Sequence, residues 1–454
     1  MANTPPEENT TPFACGEHPS RGGELESGRL FAFSRDLTVG ALKIPLLRRG
    51  GFREAEDGVV VLHRGNPSED GVVVPPQLMK TIVILSSEPW GKMKLSKMHF
   101  AKELATEGNK VFFVNPPRKI ESNKLCYAEQ LADNRNITLV HTRESGDRVF
   151  LREKLFPLYR ILENKYIKTI KKITGEVDEL WCFNPQFIVD ISKFDASKTL
   201  LFMYDFYKGR HLMNTAKQSD AILSVAQNIL DYFSAVDTPK LLLNHGLASV
   251  FIDPMNHPFD KKDDKIRIGY VGNLLRGSID ILSFEKIITE NPEIQFNIWG
   301  PVGLKDNNVS GADVTKEKQN FIQFLREQKN VVFRGVKTPD VLAKEIQEMD
   351  AFLFIYSSEK DMNEAANSHK LMEYLSTGKA VFSTFVSQFR DSGLLVMDEP
   401  GGNDFSGFFN REIKKIGQYN TTAEQMKRIS FAKDNSYRKQ IDRIEKFLGT
   451  IDKK

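Results

Sequence analysis

The sequence predicts an α/β protein made of two Rossmann-like lobes, with parallel sheets facing a cleft and a C-terminal helix closing the chain. Three observations carry this. From Lys80 onward, short and almost wholly apolar runs alternate with amphipathic stretches, the pattern of strands buried on both faces of a parallel sheet. The alternation starts afresh after a charged, Pro-containing link, DPMNHPFDKKDDK, at residues 253–265. The length, 454 residues, exceeds what a single hydrophobic core ordinarily fills.

Residues 1–78 stand apart. They are rich in Pro, Gly and Glu and have no clear period, and EDGVVV occurs at Glu56–Val61 and again at Glu69–Val74, before Pro75 and Pro76. Such a composition buries too little apolar surface to offset the entropy of ordering, so the expectation is a disordered extension. Met79 stands directly before the first strand pattern and is the expected functional start. Deleting residues 1–78 should then leave activity intact.

The first lobe is expected over 79–250. TIVILSS (81–87) opens it as a strand, followed by the helix SKMHFAKELATEG (96–108), which Gly108 ends. KVFFVNPP (110–117), ELWCFNP (179–185), KTLLFMYDF (198–206), AILSVA (221–226) and KLLLNHG (240–246) continue the strand series. The second lobe, 251–425, opens with the strand IRIGYVGN (266–273) and the helix DILSFEKIITENP (280–292). IQFNIWGP (294–301), NVVFRG (330–335), AFLFIY (351–356) and AVFST (380–384) complete its parallel set. Residues 426–454 form the terminal helical segment, with Ile441, Ile444, Phe447 and Leu448 on one stripe.

Composition narrows the function classes. Hydrophobic content of 40% and charged content of 27% are ordinary for a globular protein. No apolar run approaches the roughly 20 residues of a membrane span, and no secretory signal is visible. A net charge of +3 gives no argument for nucleic acid, though local patches leave an anionic ligand or a membrane surface open. The three cysteines, Cys15, Cys126 and Cys182, are odd in number and lack zinc-ligand spacing, which fits a reducing cytoplasm.

NSHKLMEYLSTGKAVFST (367–384) is the most informative stretch: a helix with one carboxylate, Glu373, a turn at Gly378 and a buried strand, reached from AFLFIY through a polar loop. In open α/β folds, nucleotides dock at the carboxyl edge of the sheet. A carboxylate there can accept two hydrogen bonds from vicinal ribose hydroxyls; the alternative is a solvated helix residue. His369 and Lys370 stand at the helix opening, where free N–H groups attract anions, and Lys370 adds a point charge for a diphosphate or is simply solvated. In GYVGNLLRG (269–277), Gly272 permits close backbone approach and Arg276 offers bidentate phosphate contact, against the plainer reading of a tight turn with a solvated arginine.

In the first lobe, SSEPWGKMKLSKMH (86–99) supplies Gly91, where a substrate can approach the backbone, and Trp90, which either stacks on a sugar ring or packs. His99 is an acceptor-side candidate or a core residue. Asp205, at the carboxyl end of a strand, either positions and deprotonates an acceptor hydroxyl or forms a turn. Hinge geometry accounts for Asn244 and Gly246 around His245. YIKTIKKI (166–173) sets Lys168, Lys171 and Lys172 beside an apolar stripe, either an interfacial helix or an ordinary surface helix. No G-x-G-x-x-G follows either leading strand, which argues against a dinucleotide oxidoreductase. No D-x-D is present, which argues against a metal held on a diphosphate.

In these residues the chain resembles the nucleotide-sugar glycosyltransferases of two-lobed GT-B architecture, most nearly the retaining group called family 4, in its teichuronic-acid-type bacterial polysaccharide branch. Four segments between Met79 and about Lys454 carry the resemblance: TIVILSSEPWGKMKLSKMHFAKELATEGNKVFFVNPP, SDAILSVAQNILDYF with LLLNHG, IGYVGNLLRG, and SHKLMEYLSTGKAVFST. The resemblance implies transfer of a sugar from a nucleotide diphosphate sugar to a hydroxyl acceptor, carbohydrate or lipid-linked, in cell-surface polysaccharide or glycolipid synthesis. It implies a retaining hexosyltransferase with no cofactor and no metal, working in the cytoplasm or peripherally on the inner membrane face, with no nucleic-acid partner. The donor would bind in the second lobe at Glu373, Lys370, Arg276, Gly272 and His369. The acceptor would meet the first lobe at Gly91, Trp90 and His99, and Asp205 and Glu364 would carry catalysis. Glu373 matches the second acid of the family's E-x7-E pair. The first acid is absent, because Ala365 stands eight residues earlier and Glu364 is one residue off register. Two rival expectations remain: a GT-B-like sugar-nucleotide epimerase, and a non-catalytic nucleotide-binding scaffold.

Overall fold

Strands of β-branched and aromatic residues with no polar face can sit only in the middle of a sheet covered on both sides. TIVIL is such a strand, and it lies at the centre of the first sheet. The computed structural model describes residues 79–91, 94–204, 209, 211–256, 263–275, 277–303, 315–356 and 368–451. All of them fall within one unit, Val74–Lys454.

The first lobe holds β1 (Thr81–Leu85), α1 (Ser96–Thr106), β2 (Lys110–Val114), β3 (Cys126–Gln130), β4 (Ile137–Thr142), α2 (Arg148–Lys154), α3 (Phe156–Thr174) and β5 (Glu179–Cys182). β6 (Lys198–Met203), α4 (Leu212–Lys217), β7 (Ala221–Ser224), α5 (Gln227–Tyr232) and β8 (Lys240–Leu242) follow. The strand order is β3-β4-β2-β1-β5-β6-β7-β8, with Val83 opposite Phe112 on one side and Leu180 on the other. Every pair is parallel except β3–β4. That edge hairpin is absent from the expected strand series. In CYAEQ only Cys126 is buried, so an exposed edge strand leaves almost no apolar signature.

The second lobe holds β9 (Arg267–Val271), α6 (Ile281–Glu290), β10 (Gln295–Trp299), α7 (Lys316–Glu327), β11 (Val331–Gly335), α8 (Pro339–Glu345) and β12 (Ala351–Phe354). It continues with α9 (His369–Ser376), β13 (Ala380–Ser383), β14 (Val396–Met397), α10 (Phe405–Glu412), α11 (Ile416–Tyr419), α12 (Thr422–Asp434) and α13 (Tyr437–Ile451). Its order, β11-β10-β9-β12-β13-β14, is wholly parallel and reverses between β9 and β12. The first sheet reverses in the same way between β1 and β5. Ligands in open sheets favour the crevice outside such reversals.

The terminal segment is two helices rather than one. α12 packs on α9 of the second lobe, and α13 returns to α1 of the first. The break at Asn435 is pinned by the first interlobe crossing: the Leu247 N–H donates to the Asn435 carbonyl (2.7 Å) and the Tyr437 N–H to the Leu247 carbonyl (3.0 Å). Asn435 Oδ1 also accepts from Asn244 and Gln440. Gly246 is required here, because a Cβ at that position would stand 2.3 Å from the Tyr437 ring.

Residues 166–173 depart from the interfacial reading. Tyr166, Ile167 and Ile170 are buried in the core of the first lobe, so their stripe faces the sheet and is closed to a bilayer. Lys171 is ion-paired with Asp195. Among the described residues, no helix is long and apolar enough to cross a membrane.

Candidate active site between the lobes

At the reversal of the second sheet, β9 runs out into Val271 and Gly272. The Gly272 N–H donates to the Trp299 carbonyl (2.9 Å). Gly300, at φ +141°, lies so close that a Cβ there would stand 1.8 Å from the Gly272 oxygen. A glycine at 300 is what allows this backbone contact, while a Cβ at 272 would meet the Tyr270 hydroxyl at 2.7 Å. The Tyr374 hydroxyl accepts from the Val271 N–H (2.7 Å) and donates to the Val271 carbonyl (3.2 Å), which locks α9 onto the end of β9. Ser368 caps α9, and Arg428, 2% exposed, donates to the carbonyls of Gly378, Leu394 and Tyr419, which fixes α12 across the far end. Asn273 is buried beside this loop, and its Nδ2 has no hydrogen-bond partner among the described residues.

Glu373 is held on the rigid element that results. Its side chain is 13% exposed, with Lys370 Nζ at 3.2 Å and His369 Nε2 at 3.9 Å. Burial pushes its carboxyl above the usual range, and the Lys370 charge and hydrogen bond pull it back. Burial raises the Tyr437 hydroxyl, a hydrogen bond from Ser96 pulls it back, and the Glu373 charge adds to the rise. Tyr437 in turn stacks on His99 at 5.0 Å and meets Phe100 edge-on at 4.9 Å. A row of rings crosses the gap, with Tyr204 5.1 Å from His245 and His245 6.0 Å from His369. His245 Nδ1 lies 3.2 Å from the Ser96 hydroxyl.

At the reversal of the first sheet opens a cavity of about 350 Å³, lined among the described residues by the first lobe. Ser87 and Glu88 after β1, and Phe183 and Asn184 after β5, form its floor. Arg148 and Arg152 of α2 and Tyr204 at the end of β6 form its sides. Lys97 pairs with Glu88 and donates to the Ser87 hydroxyl (2.7 Å). Asn184 Nδ2 donates to the Ser86 carbonyl (3.1 Å) and ties the two strand ends together.

The expected residues divide accordingly. Glu373, Lys370, His369 and Gly272 meet at the second lobe's reversal. Trp90 packs edge-on against Phe113 (5.0 Å) beneath Lys94, and the Gly91 carbonyl accepts from Lys94 Nζ (2.8 Å). His99 is partly buried, stacked on Tyr437. Burial, with the charges of Lys102, Lys370 and Lys94, drives its pKa down to about 3, so it is neutral. None of these three lines the cavity. Asp205, Glu364 and Arg276 lie outside the described residues. Arg148, Arg152, Glu88, Lys97 and Gly300 are absent from the residues expected from sequence. The glycine closing the strand IQFNIWG was the visible sign of Gly300; the arginines sit on a short helix without an apolar period and gave none.

No known protein family matches the chain by sequence, and no curated protein matches it. Solved structures do match in fold. A glycosyltransferase from Rickettsia africae ESF-5 superposes with a TM-score of 0.59 at 13% identity, over 83% of this chain and 99% of that one. HepE from Anabaena, solved with UDP and glucose, gives 0.52 at 12%, over 82% and 99%. A trehalose-6-phosphate synthase, solved in a study of glycosyl transfer with retention, gives 0.57 at 11%, over 82% and 99%. The fold is GT-B, the two-lobed architecture these structures share.

Proposed function

We propose that the protein is a glycosyltransferase that moves a sugar from a nucleotide diphosphate sugar to a hydroxyl acceptor, in cell-surface polysaccharide or glycolipid synthesis. One observation carries this reading. Glu373 is largely buried on an immobilised helix at the reversal of the second sheet, with Lys370 beside it, and the ring row His369, His245, Tyr204 leads from that helix to a cavity at the reversal of the first. An ionised carboxylate accepts from both ribose hydroxyls. Lys370, the α9 N–H groups and Arg276 meet the charge that develops on the leaving diphosphate, with no divalent metal. In this reading Glu364 is assigned to the donor sugar and Asp205 to the acceptor hydroxyl. Closure of the lobes excludes the water that would hydrolyse the donor. Likeness to the synthase studied for retention supports a retaining outcome.

Peripheral contact with an anionic bilayer on the cytoplasmic side belongs to the same proposal, with a different apolar ridge from the one first expected and with Lys168 and Lys172 in common. Val149, Phe150, Leu155, Leu158 and Ile161 are all exposed. The stripe continues along α3 as exposed Lys165, Lys168 and Lys172, at the 3–4 spacing of one helix face. An apolar ridge running into a lysine row suits the boundary between acyl chains and anionic headgroups.

Thermal shift with UDP-, GDP- and dTDP-sugars, followed by transfer assays with carbohydrate and lipid-linked acceptors, tests the function. Stabilisation by one nucleotide class and transfer that requires an acceptor are expected. Turnover of the donor without an acceptor would indicate an epimerase, and binding without turnover a scaffold; either result overturns the proposal.

A further inference from the structure

We propose that the first-lobe cavity binds a phosphate group of the acceptor, held by Arg148 with Arg152 and the Tyr204 hydroxyl. The inference rests on reading the first lobe as the acceptor side, and it narrows the class of acceptor. Arg148 Nε and the Tyr204 hydroxyl are both buried, and neither has a hydrogen-bond partner among the described residues. Buried polar groups in native proteins are nearly always paired, so two orphaned donors on one cavity point to acceptor atoms that arrive with a ligand.

Charge agrees. Arg148 makes no ion pair among the described residues. Its guanidinium lies 5.4 Å from the Phe187 ring, and burial depresses its pKa. Arg152 is oriented beside it, with NH1 donating to the Gln186 carbonyl (2.7 Å) and Nε to Glu153 (2.9 Å). The one carboxylate lining the cavity among the described residues, Glu88, is neutralised by Lys97. Two planar guanidinium forks and a hydroxyl match a group with three acceptor oxygens better than a neutral sugar edge. Phe183 and Phe202, stacked at 4.3 Å, supply the apolar wall against which the rest of the acceptor lies.

Calorimetric binding to the full chain tests this with phenyl phosphate and farnesyl phosphate, each against its neutral counterpart, phenol or farnesol. Each phosphate is expected to bind at least tenfold tighter than its counterpart. Arg148→Gln should lose that advantage, Arg148→Lys should recover part of it, and Glu373→Gln, in the donor region, should keep it. A tighter farnesyl ligand supports the proposal with the phosphate on a lipid; a tighter phenyl ligand supports it with the phosphate on a soluble acceptor. Equal binding of charged and neutral probes overturns it, as does retention of the advantage in Arg148→Gln or its loss in Glu373→Gln. Unchanged thermal stability of Arg148→Gln establishes that the variant is folded, and Tyr204→Phe, expected to weaken both phosphates, gives a second reading. Phosphate binding is scored without any transfer, so failure of the glycosyltransferase reading and failure of this one are separable.

Discussion

Replacing Glu373 by Gln keeps the shape of the side chain and removes its charge. In the proposed complex the carboxylate accepts hydrogen bonds from two ribose hydroxyls, and a charge-assisted hydrogen bond is worth about 1.5–3 kcal/mol. At about 1.4 kcal/mol per factor of ten, kcat/KM for the donor should fall roughly 10- to 150-fold. Folding stability should respond differently. Burial holds the Glu373 carboxyl above its ordinary 4.5, so the folded state favours the protonated form. That contribution is fully present below pH 4.5 and is lost as pH rises towards the folded value. At pH 7 the wild type therefore carries a desolvated charge that Lys370 offsets, and the Lys370 side chain, 18% exposed, can reach water without it. Apo Glu373→Gln should melt no lower than wild type at pH 7. Because the donor needs the ionised form, wild-type donor KM should rise as pH falls through the folded pKa, and the variant should show no such rise. Melting curves and donor-saturation kinetics from pH 4.5 to 8 read all three quantities. A donor kcat/KM within threefold of wild type would refute the ribose role. A matching loss of thermal stability would show that the residue is structural.

His99, neutral with a pKa near 3, is protonated in the unfolded chain below pH 6.5 but not in the folded one, so stability is lost as pH falls below 6.5. Between pH 7.5 and 5 the wild type should lose about 2 kcal/mol that His99→Phe does not, measured by urea unfolding. Gly246→Ala drives a Cβ into the Tyr437 ring and should destabilise by about 1–3 kcal/mol, with a lowered melting temperature; an unchanged one would show that the crossing gives way freely. EDTA at millimolar concentration should leave sugar transfer unchanged, and restoration of an EDTA-lost activity by Mg²⁺ or Mn²⁺ would reject the metal-free reading. Flotation with anionic liposomes at low salt should carry the wild type upward. Phe150→Glu with Leu158→Glu should leave it in the soluble fraction, and co-flotation of the double variant would reject the ridge.

The central strands, the helix carrying Glu373 and the repeat of the architecture were legible because full burial forces an unbroken apolar run, as in TIVIL and AFLF. The edge hairpin was not, because CYAEQ lies exposed at the rim, where side chains are free to be polar, and its buried partner ITLVHT mixes Thr and His among its apolar residues. That Glu373, Lys370 and His369 share one helix opening was legible because a strand, loop and helix follow one another in sequence, whereas Gly272 comes beside that helix only through the pairing of β9 with β12. The cavity was not, because Ser87, Arg148, Asn184 and Tyr204 come from four separate segments and meet only through the strand order. Trp90 and His99 look alike in sequence whether they face a sugar or a neighbouring ring, and only the rings of Phe113 and Tyr437 show which neighbour each one has.

The seat of α13 against α1 has a consequence for synthesis. Segments leaving the ribosome fold in the order they emerge. Here the opening half stays uncovered along the face that bears Phe100 until the last fifteen or so residues follow, after the entire second half. Maturation of the beginning therefore waits on the end. A stalled or clipped product that lacks only its tail would expose apolar surface on the part made first, where a chaperone or protease would find it.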